Sequence, residues 1–234
     1  MDLPTTIRIL SSMATRRLLA DLTTQFESTS PLRLSVESVG GVDAAKRVRG
    51  GEPFDVIVLA DNVIDALIAE GHIVEGSRVD LVASPVAVAV RAGTTHPDIS
   101  SADAVKSAIL AAASIGYSTG PSGTYLATLF DRWGVADAVK GRIRVAPPGV
   151  PVGSLVAKGE LELGFQQLSE FVDLDGIDVV GLLPPEIQAI TIFSGGVGRA
   201  AAKPDRAREV LKFMAGPSTV ETKRRLGMEP ALTL

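Results

Sequence analysis

A chain of 234 residues, 46% hydrophobic and 21% charged, is long enough to bury one large core or two smaller ones and has the composition of a globular protein. A formal net charge of −4 speaks against a nucleic-acid or anionic-membrane partner. With no cysteine, disulfides and thiolate chemistry are excluded; His72 and His96, far apart beside Gly71 and Pro97, argue against a His metal site or a Ser-His-Asp triad.

The opening "MDLPTTIRIL" has no basic segment followed by a long apolar core, so it reads as a strand start and not as a signal peptide. The expected location is cytoplasmic as the sequence stands, and periplasmic if a leader has been replaced by a new Met. No run of about 18 apolar residues suggests a transmembrane helix, and a monomer without membrane insertion is expected.

After "TIRIL", the segment "SSMATRRLLADLTTQFES" places Leu18, Leu22 and Phe26 four apart on one helical face, with Ser11 or Ser12 as N-cap. "LRLSVES" alternates as a strand, "VDAAKRVRGG" is a short helix closed by Gly50, "FDVIVLA" is a buried strand, and "NVIDALIAEG" is another helix ended by glycine. "VASPVAVAVRAG" is a strand, "SADAVKSAILAAA" a serine-capped helix and "SIGYS" a strand. That strand leads into "STGPSGTYLATLFDRWG", a polar turn running into a helix whose apolar stripe is Leu126, Leu129, Phe130 and Trp133. Beyond it come the strand "RIRVA", the helix "VGSLVAKGE", the strands "LGFQQ", "IDVVGLL" and "AITIF", and the closing helices "DRAREVLKFMAG" and "STVETKRRLG". Alternating strands and helices predict an α/β fold with mostly parallel sheets.

Ligands of open α/β sheets bind at the C-terminal ends of strands, where helix N-termini present unpaired N–H groups and partial positive charge. Small, polar or glycine-rich turns of this kind recur at Ser11-Ser12-Met13, Val39-Gly40-Gly41, Gly120-Pro121-Ser122-Gly123 and "PPGVPVG". Each is explained by ordinary capping when taken singly; four at strand-to-helix turns point to an anion-binding site. No Asp/Glu cluster in these turns suggests a metal, and no cofactor is expected. Arg16 and Arg17 fall in the second turn of the first helix, where a solvated face competes with carboxylate binding. The run "KRVR" reads as an exposed helix face.

The order and spacing of several segments resemble type II periplasmic binding proteins, above all the molybdate-binding proteins of ABC importers. They are Ser12-Met13 opening the first helix, Ala45 to Asp55 leading into "VIVLAD", Pro121-Ser122-Gly123, "GSLVAKGELELGFQQLSE" and "VLKFMAGPSTVETKRRLGMEP". The resemblance spans nearly the whole chain. It implies two Rossmann-like lobes with mixed, mostly parallel sheets, joined by two crossing strands, with a ligand cleft between them. Lobe 1 would hold residues 1–85 and 191–234, and lobe 2 residues 86–190.

Carried onto this chain, the resemblance puts oxyanion contacts at Ser11 and Ser12, at Gly40 or Gly41, at Ser122 and Gly123, at Pro151 and Val152, and at Gln167. Three of these depart from the family pattern. Gly40-Gly41 replaces a serine, Pro151 has no N–H to donate, and Gln167 stands where a tyrosine is common. These departures argue against molybdate or tungstate, since an unpaired buried group costs about 1–3 kcal/mol. They favour a carboxylate-type anion. Gln166 is expected to face solvent, because alternation turns it away from Gln167.

Two function classes follow. One is a solute-binding protein that takes up a small anion. The other is an isomerase of an unsaturated polycarboxylate on the same scaffold, as in relatives acting on aconitate. For the second, Tyr117 is the candidate proton-transfer residue, provided that nearby helix ends lower its pKa from about 10.

Overall fold

The computed structural model describes residues 5–231. Residues 1–4, which open the N-terminal reading, and 232–234, which close the expected lobe 1, lie outside it. The chain forms two compact units. One ends at Ser84 and resumes at Ile192; the other is Pro85–Thr191.

In chain order the elements are β1 Thr6–Ser12, α1 Arg16–Glu27, β2 Arg33–Val39, α2 Gly41–Arg49, β3 Val56–Ala60, α3 Asp61–Ala69 and β4 Val79–Arg91. Next come α4 Ala102–Ala111, β5 Ile115–Tyr117, α5 Pro121–Arg132, α6 Ala136–Val139, β6 Ile143–Val145, α7 Val152–Ala157 and β7 Leu163–Gln167. The chain closes with α8 Leu168–Phe171, β8 Ile177–Leu182, β9 Ile190–Val197, α9 Pro204–Ala215, α10 Val220–Arg225 and β10 Glu229–Pro230. The unit boundaries fall inside β4 and β9. The α/β fold read from the sequence is present in both units, with mixed sheets.

In the first unit, β1 pairs in parallel with β2 and with β3, and β3 pairs antiparallel with β9. Strands with helical crossovers are covered on both faces, so they read as continuous apolar runs; all five residues of β3 are buried. Leu10, Ile57 and Leu59 pack with Ala44, Val48, Ile64 and Leu67 from α2 and α3. α1 buries Leu18, Leu22 and Phe26, the face expected from their spacing, and the Phe26 ring lies 5.1 Å from that of Phe213 on α9.

In the second unit, β5 pairs in parallel with β6 and β7, while β4 pairs antiparallel with β7 and β8. Successive residues of β4 serve opposite faces. Val86, Val88 and Val90 join Ile109, Leu126 and Phe130 of α4 and α5, whereas Ala87 and Ala89 join Val152, Val156 and Phe171 of α7 and α8.

Three local readings change. The first helix begins with a 3-10 turn, Met13–Thr15, so Arg16 and Arg17 open α1 instead of standing in its second turn. At the end of α2, Gly50 keeps right-handed backbone and Gly51, at φ 81°, takes the left-handed residue that glycine accommodates. Arg47 is not simply an exposed face residue. It donates to both Glu37 and Glu52 and lies over the Phe54 ring at 5.2 Å, and the two carboxylates hold its pKa above the ordinary arginine value.

Candidate functional site

The parallel registers gather the sequence-nominated residues at strand C-termini. In the first unit Ser12 pairs with Val39, one residue before Gly40, and Ser11 pairs with both Ser38 and Val58. Strands β1, β2 and β3 therefore release the chain at the same edge of the sheet. In the second unit Tyr117 ends β5, Val145 beside it ends β6, and Gln167 ends β7.

The expectation that Ser11 or Ser12 caps the first helix is not met. Ser11 lies inside β1, fully buried, with its hydroxyl 2.7 Å from that of Ser38. Ser12 occupies the cap position of the 3-10 turn but makes no side-chain cap bond. Its hydroxyl is shut off from solvent, with no partner among the described residues. Ser12 is 6% exposed, and an unsatisfied group at such depth costs about 1–3 kcal/mol. Capping does not explain its presence.

Gly40 and Gly41 start α2 without a side-chain cap. A Cβ added at Gly41 would meet nothing within 4 Å, and one at Gly40 would come no nearer than 3.6 Å to Asp43. Packing therefore does not demand either glycine. The first turn of α2 does carry a carboxylate, Asp43, which already complements the helix dipole and opposes a second anion.

The turn into α5 is the most open. Gly120 at the N-cap has no side chain to offer, Pro121 has no N–H, and no acid lies in the first turn. Ser118 Oγ accepts from Gly120 N–H at 3.2 Å, so it is turned back into the loop. Ser122 is 2% exposed and its hydroxyl has no hydrogen-bond partner among the described residues. Gly123 is required by packing: a Cβ there would stand 1.7 Å from the Ser118 carbonyl oxygen. The glycine lets α5 lie against the end of β5 with its first N–H groups unsatisfied.

The turn into α7 is closed. Pro151 is its N-cap, and the Val152 N–H donates to Gln166 Oε1 at 3.0 Å. The amide nitrogen of Gln166 in turn donates to Glu170 at 2.5 Å. Gln166 is thus a correction to the sequence reading. Alternation does turn it away from Gln167, but β7 lies between β4 and β5 and has no solvent face, so Gln166 is buried under α7. It takes up the backbone donor expected of Val152. A glutamine preceding a glutamate by four residues was the available sequence signal for this link. Gln167 is also buried, and its amide donates to Thr191 at 2.8 Å.

Tyr117 is half-buried, with its ring edge-on to Phe130 at a centroid distance of 6.2 Å. Burial pushes its phenol above the ordinary pKa, and the Asp131 charge pushes the same way. A base role needs the opposite direction. At neutral pH Tyr117 carries its proton and acts as a hydrogen-bonding hydroxyl. Tyr125 is tied into the core of the same unit, donating to the Ile187 carbonyl at 2.7 Å. Among the described residues no group of three or more His, Asp or Glu side chains is placed to hold a metal ion. Nor is any helix among them long and apolar enough to cross a membrane.

The family model described as bacterial extracellular solute-binding protein matches residues 7–229. The chain belongs to that family. A relative from Pseudomonas sp. named aconitate isomerase is 36% identical over 232 residues, 97% of this chain and 88% of the relative. The periplasmic molybdate-binding protein of Azotobacter vinelandii superposes with a TM-score of 0.78 at 20% identity, over 97% of this chain and all of that one. A sulfate-binding protein of Mycobacterium tuberculosis H37Rv gives 0.79 at 15% identity, over 97% and 87%. At such identities these two structures establish the shared fold alone.

Proposed function

We propose that this solute-binding family member takes a small carboxylate-type anion, held by Ser12, Ser122, Gly123 and Gln167. The observation that carries this reading is the buried Ser12 hydroxyl at the end of β1, which has no partner among the described residues. The open N-terminus of α5 supports it with neutral donors and no competing acid. A tetrahedral oxyanion fits less well, because Pro151 has no N–H and Val152 has already given its own to Gln166. In the binding-protein reading, the ligand is delivered to a membrane importer.

A second reading is favoured by the relative named aconitate isomerase. Helix N-termini that hold a carboxylate also stabilise negative charge developing on an adjacent atom, as proton abstraction next to a carboxylate requires. Tyr117, kept protonated, would serve there as a donor or proton carrier rather than as the resting base.

Titration calorimetry with cis-aconitate, trans-aconitate, citrate, molybdate and tungstate tests the first reading. Carboxylate binding weakened in both Ser12→Ala and Ser122→Ala is expected. Submicromolar molybdate binding with no carboxylate binding would overturn it. Proton NMR of the two aconitates in deuterated water, with wild type and Tyr117→Phe, separates the readings: interconversion or solvent exchange means isomerase, and binding without either means carrier.

A further inference from the structure

Running back from the C-terminal end of the edge strand β2, the first unit has a groove of about 340 Å³ between that strand and α1. It is lined by Arg16, Ala20 and Thr23 from the helix and by Leu34, Val36 and Ser38 from the strand. The spacing is what each element dictates, since helix positions three and four apart share a face and strand positions two apart share a side. Most small-ligand sites are of this kind, apolar with a few placed polar groups.

Two polar groups are left over in it. Arg16 is exposed, with no acceptor among the described residues. The neighbouring carboxylates are engaged elsewhere: Glu37 with Arg47, and Glu27 with the Leu34 N–H and Arg33. Thr23 has its hydroxyl cut off from water with no partner among the described residues, whereas Thr24 beside it donates to the Ala20 carbonyl in the way usual for a helical threonine. Thr23 lies seven positions after Arg16 in the helix, about 10.5 Å along the axis.

We propose that this groove is a ligand site separate from the anion site, for a medium-chain aliphatic carboxylate with a hydroxyl at its far end. Arg16 takes the carboxylate as a charge-assisted pair. The chain lies along Ala20, Leu34 and Val36. A turn of Thr23 about χ1, for which threonine has two helical rotamers, brings its hydroxyl onto the terminal group.

The test is protein-detected NMR titration of the full chain with octanoate, 8-hydroxyoctanoate and octanol. Saturable shifts centred on the amides of Ala20, Leu34 and Val36 are expected with both acids. Arg16→Gln should weaken them about tenfold or more, the effect of losing a charge-assisted bond, and octanol should bind no better than octanoate binds to that variant. The 8-hydroxy acid should exceed octanoate in wild type but not in Thr23→Val. Ser12→Ala should leave these titrations unchanged, which keeps this site distinguishable from the anion site. Absence of shifts in folded protein, equal binding of octanol in wild type, or loss through Ser12→Ala instead of Arg16→Gln would overturn the proposal.

Discussion

The turns into α5 and α7 look alike in sequence, each with proline, glycine and small residues before an apolar helix, yet the structure treats them oppositely. At α5 no side chain caps the helix and the Ser122 hydroxyl has no partner among the described residues. At α7 the Val152 N–H is taken by Gln166, whose amide is in turn bound to Glu170. The pair shows that a helix N-terminus has donors to offer a ligand only while they remain unspent, and that a side chain from an adjacent strand can spend them.

The strongest way to break the comparison is at Gly123, which lets α5 sit against Ser118. Gly123→Ala forces a Cβ into a backbone carbonyl and is expected to destabilise by about 3 kcal/mol, the upper range for overpacking. Gly41→Ala, with open space around it and no left-handed backbone, should shift stability by under about 1 kcal/mol, in the stabilising direction. Urea unfolding of both variants checks this, and equal losses would mean that α5 adjusts freely.

Lys223 asks whether every unpaired buried group marks a ligand. It is 1% exposed, makes no ion pair among the described residues, and burial lowers its pKa from 10.5 to about 8. A base whose folded pKa is depressed binds more protons when unfolded, so its cost is present in full below pH 8 and is relieved between about pH 8 and 10.5. Lys223→Met should therefore stabilise by about 3 kcal/mol at pH 7, remove that rise of stability with pH, and leave anion affinity unchanged. Thermal unfolding at pH 7 and 9.5 is the measurement; a variant less stable at both would show that the amine has a partner worth keeping.

Gln166→Leu sharpens the contrast at α7. It strips the Val152 N–H of its acceptor and removes one donor from Glu170, for an expected loss of about 1–3 kcal/mol in stability, with anion binding intact. Ser122→Ala should do the reverse, with stability changed by less than about 0.5 kcal/mol and affinity reduced by about 1–2 kcal/mol. If the two variants exchanged these outcomes in calorimetry and denaturation, the open and closed assignments would have to be swapped.

Much of the fold was legible in the chain itself. The 3.6-residue spacing of Leu18, Leu22 and Phe26, the serine cap of α4, and the doubly apolar β3 and β4 are local patterns, and hydrophobic burial makes local patterns reliable. Helix-terminal glycines and the strand-to-helix turns were legible for the same reason. What each turn does with its donors was decided by tertiary structure. Gln166 reaches Val152 because β7 is covered on both faces and delivers a buried amide under α7. Ser11 is engaged and Ser12 is not because parallel pairing sets Ser11 opposite Ser38. Tyr117 has its pKa raised because folding encloses its ring and brings Asp131 into range. Hydrogen-bond satisfaction and desolvation depend on neighbours distant in sequence, whereas periodicity and turn chemistry are carried by adjacent residues.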